Sequence, residues 1–189
     1  MSRSYEIQLY FDTGLENQVL KAWNILSLRQ ITTQLIKIES RPHITLLSTP
    51  FVDPLKLSIP FKTFVSNQIQ PLDVTFSTIG SFPNDPTTVF LGPTPTLSLL
   101  NLQTQLSELV RREGNVEVMR EFCSDSWIPH CIVAQDIPRV RMAEAFCVLR
   151  DLNLPISGCA VEIGLVEFLP DTGCAMGIFS YSLGNSSEY

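Results

Sequence analysis

The chain contains only two histidines, and each directly follows a proline inside a short apolar run. The runs read Arg41-Pro42-His43-Ile44-Thr45-Leu46-Leu47 and Trp127-Ile128-Pro129-His130-Cys131-Ile132-Val133. With 13 prolines in 189 residues, one histidine follows a proline by chance about 7% of the time, and both do so roughly 0.5% of the time. The runs lie 87 residues apart, and the same offset sets Val74 against Val161, Pro83 against Pro170 and Asn84 against Asp171. In each copy a strand-like segment begins 29 residues after the histidine, at Leu72 and at Cys159. A repeat of this order constrains the fold to two similar units with one histidine apiece.

Hydropathy patterning fills in those units. Tyr5, Ile7, Leu9 and Phe11 alternate as on a strand over 5–12, and Asp12 or Thr13 can cap a helix over 15–30 carrying Val19, Trp23 and Leu26. The first histidine strand is expected at 42–49, a weaker helix at 55–67 and a strand from Leu72 to Ile79. Gly80 to Pro86 is a turn-rich break, followed by a short strand at Val89-Phe90-Leu91. Leu99, Leu102, Leu106 and Leu109 mark the clearest helix, closed by Gly114-Asn115. The second histidine strand is expected at 127–135, a helix at 138–152, and strands at 159–168 and 174–183. The fold class is therefore α+β: two pseudo-symmetric lobes, each an antiparallel sheet with outer helices, around a cleft between the sheets. The lobes are placed at 5–85 and 86–183, within one domain over 1–189 that allows strand exchange.

Composition narrows the classes of function. Hydrophobic residues at 44% against 17% charged residues describe a chain with a packed core. A net charge of −6 leaves no basic stripe for long duplex nucleic acid, so a small ligand is the expected partner. No stretch approaches the ~20 apolar residues of a membrane helix, and the first residues show no signal-peptide core. A cytoplasmic monomer without membrane contact is expected. The five cysteines, at 123, 131, 147, 159 and 174, form no Cys-x-x-Cys pair and are expected to be reduced, buried thiols. The sequon at Asn185 is expected to stay unmodified.

Strand alternation decides which side chains can work together. His43 and Thr45 share one face, with Ile44 and Leu46 turned toward the helices; His130 and Ile132 share the matching face, with Cys131 and Val133 behind. Two imidazoles can divide acid–base chemistry without a metal: one, neutral, takes a proton from a nucleophile, and the other, protonated, gives one to a leaving group. A threonine hydroxyl two residues along, as at Thr45, would lie beside its histidine as a donor.

Pro-His-Ile-Thr-Leu and Pro-His-Cys-Ile-Val at this separation resemble the paired His-x-Thr/Ser motifs of the two-histidine (2H) phosphoesterases. The resemblance continues through Val74 to Pro83, Val89-Phe90-Leu91-Gly92, the Leu-rich helix and the Trp127-Ile128-Pro129 approach. That family includes the 2′–5′ RNA ligases and the cyclic nucleotide phosphodiesterases. It implies hydrolysis of 2′,3′-cyclic phosphates of nucleotides or RNA ends, His43 and His130 as catalytic residues, and positions 45 and 132 as substrate-binding, with no cofactor and no metal. The chain departs from the family pattern at Ile132, where Thr or Ser is expected and no donor is present. Losing one such donor typically costs ~10²–10³ in rate. The alternative is therefore a non-catalytic protein that binds nucleotides or RNA ends. A metal site lacks His-x-x-His or Glu-x-x-His spacing, and a thiol nucleophile at Cys131 would face away from His130. No glycine-rich dinucleotide or triphosphate loop occurs. Arg41, Lys37, Arg139 and Arg141 are read as solvated rim cations, and Phe11, Tyr10, Phe82 and Trp127 as core aromatics with base stacking as the other option.

Overall fold

The structure, a computed structural model, describes residues 4–67, 70–169 and 174–184. Pro170, Asp171 and the sequon at Asn185 lie outside the described residues. The chain opens with β1 (Ser4–Phe11) and α1 (Thr13–Leu28), then α2 (Gln34–Lys37), β2 (His43–Thr49) and α3 (Pro54–Ser66). After β3 (Leu72–Ser81) and β4 (Thr87–Pro93) come α4 (Leu97–Gly114), β5 (Cys131–Ile137), α5 (Met142–Arg150), β6 (Ile156–Leu169) and β7 (Cys174–Ser182). Among the described residues, no helix is long and apolar enough to cross a membrane.

The helix ends follow local chemistry. Asp12 accepts the Leu15 N–H at 2.9 Å and also takes the Cys159 N–H, so one carboxylate caps α1 and pins it to β6. Those amides hold its pKa below the usual carboxylate range. Asp53 and Thr96 cap α3 and α4 in the same way, and Asn115, at φ 48°, ends α4 in the left-handed region.

The class expected from the sequence is the one observed: an antiparallel sheet covered by helices. The two sheet halves are continuous, in the order β2-β1-β6-β3-β4-β5. The connection is β6, fourteen residues long. Its residues 156–160 pair with β3 and its residues 160–168 with β1, while β7 lies along its outer half. The two outermost strands, β2 and β5, carry the histidine motifs and lie against each other without a ladder between them. One apolar cluster runs through both halves, from Ile7, Leu9 and Phe11 through Leu106 and Val110 to Val133 and Leu149.

Four expectations are corrected. The second histidine strand begins at Cys131 rather than near 127, because Pro129 has no N–H to give a ladder. The helix expected at 138–152 is a 3-10 turn at Arg139–Arg141 followed by the shorter α5. A short helix at α2 and a 3-10 turn at Arg120–Phe122 appear where no element was expected. Of the five cysteines only Cys131 is buried, and Cys147 is exposed.

Candidate active site

Along β2, Ile44 and Leu46 are fully buried whereas His43 and Thr45 are half-buried; along β5, Cys131 and Val133 are buried and Ile132 is half-buried. The alternation therefore aims the motif residues as expected. His43, Thr45 and Ile132 line one cleft of about 380 Å³, with Glu6, Gln8 and Tyr10 of β1 on the same wall. His130 does not line that cleft but borders a separate depression of about 260 Å³ with Phe82, Phe122, Trp127 and Ile128, so the single shared cleft expected from the sequence is divided. The two imidazoles are close enough that charge on His43 disfavours charge on His130.

The histidines are held alike. His43 Nδ1 lies 2.6 Å from the Arg41 carbonyl, and His130 Nδ1 lies 2.7 Å from the Ile128 carbonyl. A carbonyl can only accept, so each Nδ1 carries the proton and donates. Each Nε2 is then an acceptor when the ring is neutral and a donor when it is charged. Burial pushes both pKa values below the ordinary 6.5. The accepting carbonyls and the Glu6 carboxylate act in the opposite direction without overcoming burial.

The surroundings differ. Beside His43 stands Tyr10, edge-on at 6.3 Å between centroids, with the Arg41 guanidinium 4.3 Å over its ring. Arg41 also pairs with Glu16 at 3.1 Å and with Glu162 at 2.8 Å. Of the four arginines and lysines read as rim cations it is the one that lines the cleft, where it is ion-paired while still partly exposed. Arg141 instead donates to Glu144 and to the Gln30 and Arg29 carbonyls. His130 sits against Phe82 at 4.9 Å and Phe90 at 5.3 Å. The Phe90 ring in turn covers Gly80, where a Cβ would stand 2.5 Å from its Cζ, so any side chain at position 80 would have to push that ring aside.

Side chains from outside the two strands tie each of them down. The Trp127 indole N–H donates to the Thr45 carbonyl at 3.2 Å, and the Trp23 indole N–H donates to the Ile132 carbonyl at 3.3 Å. Each bond ends on the residue two places after a histidine. Gln103, buried in α4, donates to the Leu46 carbonyl at 3.1 Å and the Phe122 carbonyl at 2.7 Å, tying β2 to the approach to the second motif. Sequence reasoning placed Trp23 in the core by its helical spacing and missed Gln103, Glu6 and Gln8. Only the polar alternation of residues 6 and 8 within an apolar strand signalled the last two. Cys131 is buried with its thiol pushed up to about 12, so it offers no thiolate nucleophile.

An antiparallel sheet whose two outer strands carry Pro-His motifs and lie against each other has the architecture of a two-histidine phosphoesterase. The profile of the 2'-5' RNA ligase superfamily matches residues 24–172, and the chain belongs to that family. Searching curated protein sequences finds no match. Among solved structures the fold resembles that of E. coli LigT complexed with 3'-AMP at 14% identity, over 97% of this chain and 98% of LigT, with a TM-score of 0.61. LigT complexed with NADP+ is similar at 14% identity over 98% of this chain and all of that chain, with a TM-score of 0.63. TT0787 of Thermus thermophilus is also similar, at 14% identity over 97% of this chain and 99% of that one, with a TM-score of 0.63.

Proposed function

We propose that the protein hydrolyses 2′,3′-cyclic phosphates of small nucleotides or RNA ends by two-histidine acid–base catalysis, without a metal. The observation that carries this reading is the matched pair of Nδ1-anchored imidazoles on adjoining strands. One neutral Nε2 takes a proton from water as the water oxygen attacks phosphorus. The other, charged, gives its proton to the ribose oxygen as the P–O bond breaks, so each turnover exchanges the two protonation states. The Thr45 hydroxyl donates to a non-bridging oxygen and stabilises the charge that builds there. A cleft of about 380 Å³ suits a mononucleotide or a chain end. Nucleotide complexes of the similar LigT are consistent with such a ligand.

Ile132 supports a second reading. Its apolar side chain occupies the cleft where the family pattern has a hydroxyl, and a site lacking that donor can bind a nucleotide end without turning it over. The experiment is hydrolysis of 2′,3′-cyclic mononucleotides and cyclic-ended RNA by the wild type, His43→Ala and His130→Ala. Each substitution is expected to reduce the rate ~10²–10⁴-fold with the melting temperature retained, and chelator to leave the rate unchanged. Full activity in either variant overturns the mechanism, and a strict metal requirement replaces it with metal-assisted hydrolysis. Binding without turnover by the wild type selects the second reading.

A further inference from the structure

Glu6, Gln8 and Tyr10 alternate along β1 with the core residues Ile7 and Leu9, so all three face the cleft. The Tyr10 hydroxyl donates to Gln8 Oε1 at 2.9 Å. That bond orients the Gln8 amide so that its N–H reaches Glu6 Oε2, also at 2.9 Å. Gln8 and Tyr10 are both buried, and the relay they form holds the Glu6 carboxylate in place. Tyr10 supplies structure rather than protons, since burial pushes its hydroxyl up to about 12. Among the described residues lining the cleft, Arg41 is the one cation, and its guanidinium is already paired with Glu16 and Glu162. Glu39 adds a second carboxylate at the rim. Apart from His43, the described lining of the cleft therefore presents fixed negative charge and no unengaged cation.

We propose that Glu6 is a specificity-determining residue that restricts the site to cyclic phosphodiesters carrying a single negative charge and disfavours ligands with further phosphates. This rests on the reading of the cleft as a cyclic-phosphate site and names its substrate class: nucleoside 2′,3′-cyclic phosphates rather than phosphorylated or polymeric ends. One phosphate charge is met by an imidazolium and the Thr45 hydroxyl. A second phosphate finds no cation to meet it and is repelled by a carboxylate that Gln8 keeps from swinging away. At separations of several ångströms in a half-solvated cleft, such repulsion is worth about tenfold in affinity per added charge.

The test compares uridine 2′,3′-cyclic phosphate with the same compound bearing a 5′-phosphate, on the wild type and on Glu6→Gln. Dissociation constants are measured by calorimetry and kcat/KM by turnover. The wild type is expected to favour the 5′-hydroxyl compound about tenfold in both quantities, and Glu6→Gln to remove most of that preference. Raising salt to about 0.5 M should narrow the wild-type ratio and leave that of the variant nearly unchanged. A wild type indifferent to the 5′-phosphate, or a preference equally strong in Glu6→Gln, overturns the proposal. Binding in the expected ratio without hydrolysis sinks the hydrolase reading alone and leaves charge selection standing. Hydrolysis with a ratio untouched by Glu6→Gln sinks charge selection alone, and failure of both compounds to bind sinks both.

Discussion

A histidine that follows a proline has a restricted choice of where its ring can go. Proline locks its own φ near −65° and keeps the preceding residue extended, which limits the path from that residue's carbonyl to the imidazole. In both motifs the ring closes on that carbonyl, Arg41 for His43 and Ile128 for His130, and the tautomer is thereby set. The repeated Pro-His pair thus fixes which ring nitrogen carries the proton in the neutral state. Burial then holds both rings below their ordinary 6.5, which has a kinetic consequence. Catalysis needs one ring neutral and one charged, and the pH dependence of kcat/KM reports the free enzyme. That profile should peak below pH 6.5 and decline above it, whereas kcat persists to higher pH because bound phosphate favours the imidazolium. A kcat/KM optimum near pH 8 would contradict the assignment. Stability follows the same sign: with folded pKa values depressed, the unfolded chain takes up protons first. The contribution of the two neutral rings is therefore full above 6.5 and is lost as pH falls below it.

At the scale of elements, the geometry of the site depends on two strands that no ladder joins. β2 and β5 end opposite sides of the strand order; the Trp127–Thr45 hydrogen bond ties the approach to β5 onto β2, the Trp23–Ile132 bond ties β5 to α1, and packing does the rest. Trp127→Phe keeps most of the ring and loses the N–H, which leaves the Thr45 carbonyl unpaired at a cost of about 1–3 kcal/mol. Its larger expected effect is on kcat, about tenfold, with KM little changed, because a shift of the strands misplaces one Nε2 relative to the other. Imidazole titrations followed by NMR should also move toward 6.5 as the cleft admits water, and unchanged titrations with an unchanged kcat would make Trp127 a packing residue only. Much of this arrangement was legible in the sequence. The period of two in His43-Ile44-Thr45 and His130-Cys131-Ile132 identified the inward residues, and the 87-residue offset put the strands in equivalent places. What escaped depends on long-range placement. Trp23 and Gln103 occupy helical positions that look like core, and only the packed helices reveal that their N–H groups end on strand carbonyls. Residues 6 and 8 were passed over because the apolar face of β1 dominates its pattern. Phe82 reaches His130 from just past the end of β3, where no periodicity can be read.

One strand, β6, makes the sheet continuous through both halves of the chain. Sequence repetition suggests two lobes meeting near residue 86, yet β1 in the first half obtains one of its two partners from residues 160–168, and β3 pairs with residues 156–160 of the same strand. A first half cut at residue 85 would expose one edge of β1 and separate β3 from both β4 and β6. It would also open the apolar cluster that Leu106, Val133 and Leu149 complete from the other side. Neither half then buries enough surface to offset its conformational entropy. We accordingly expect the full chain to unfold in a single transition, with equal calorimetric and van't Hoff enthalpies, and a fragment ending at residue 85 to lack cooperative melting. Two resolved transitions, or a folded fragment, would show that the lobes are independent and that the cleft can open by their separation. A single transition instead means that the distance between His43 and His130 is as stable as the sheet itself, which is the condition for two imidazoles to act on one phosphorus atom.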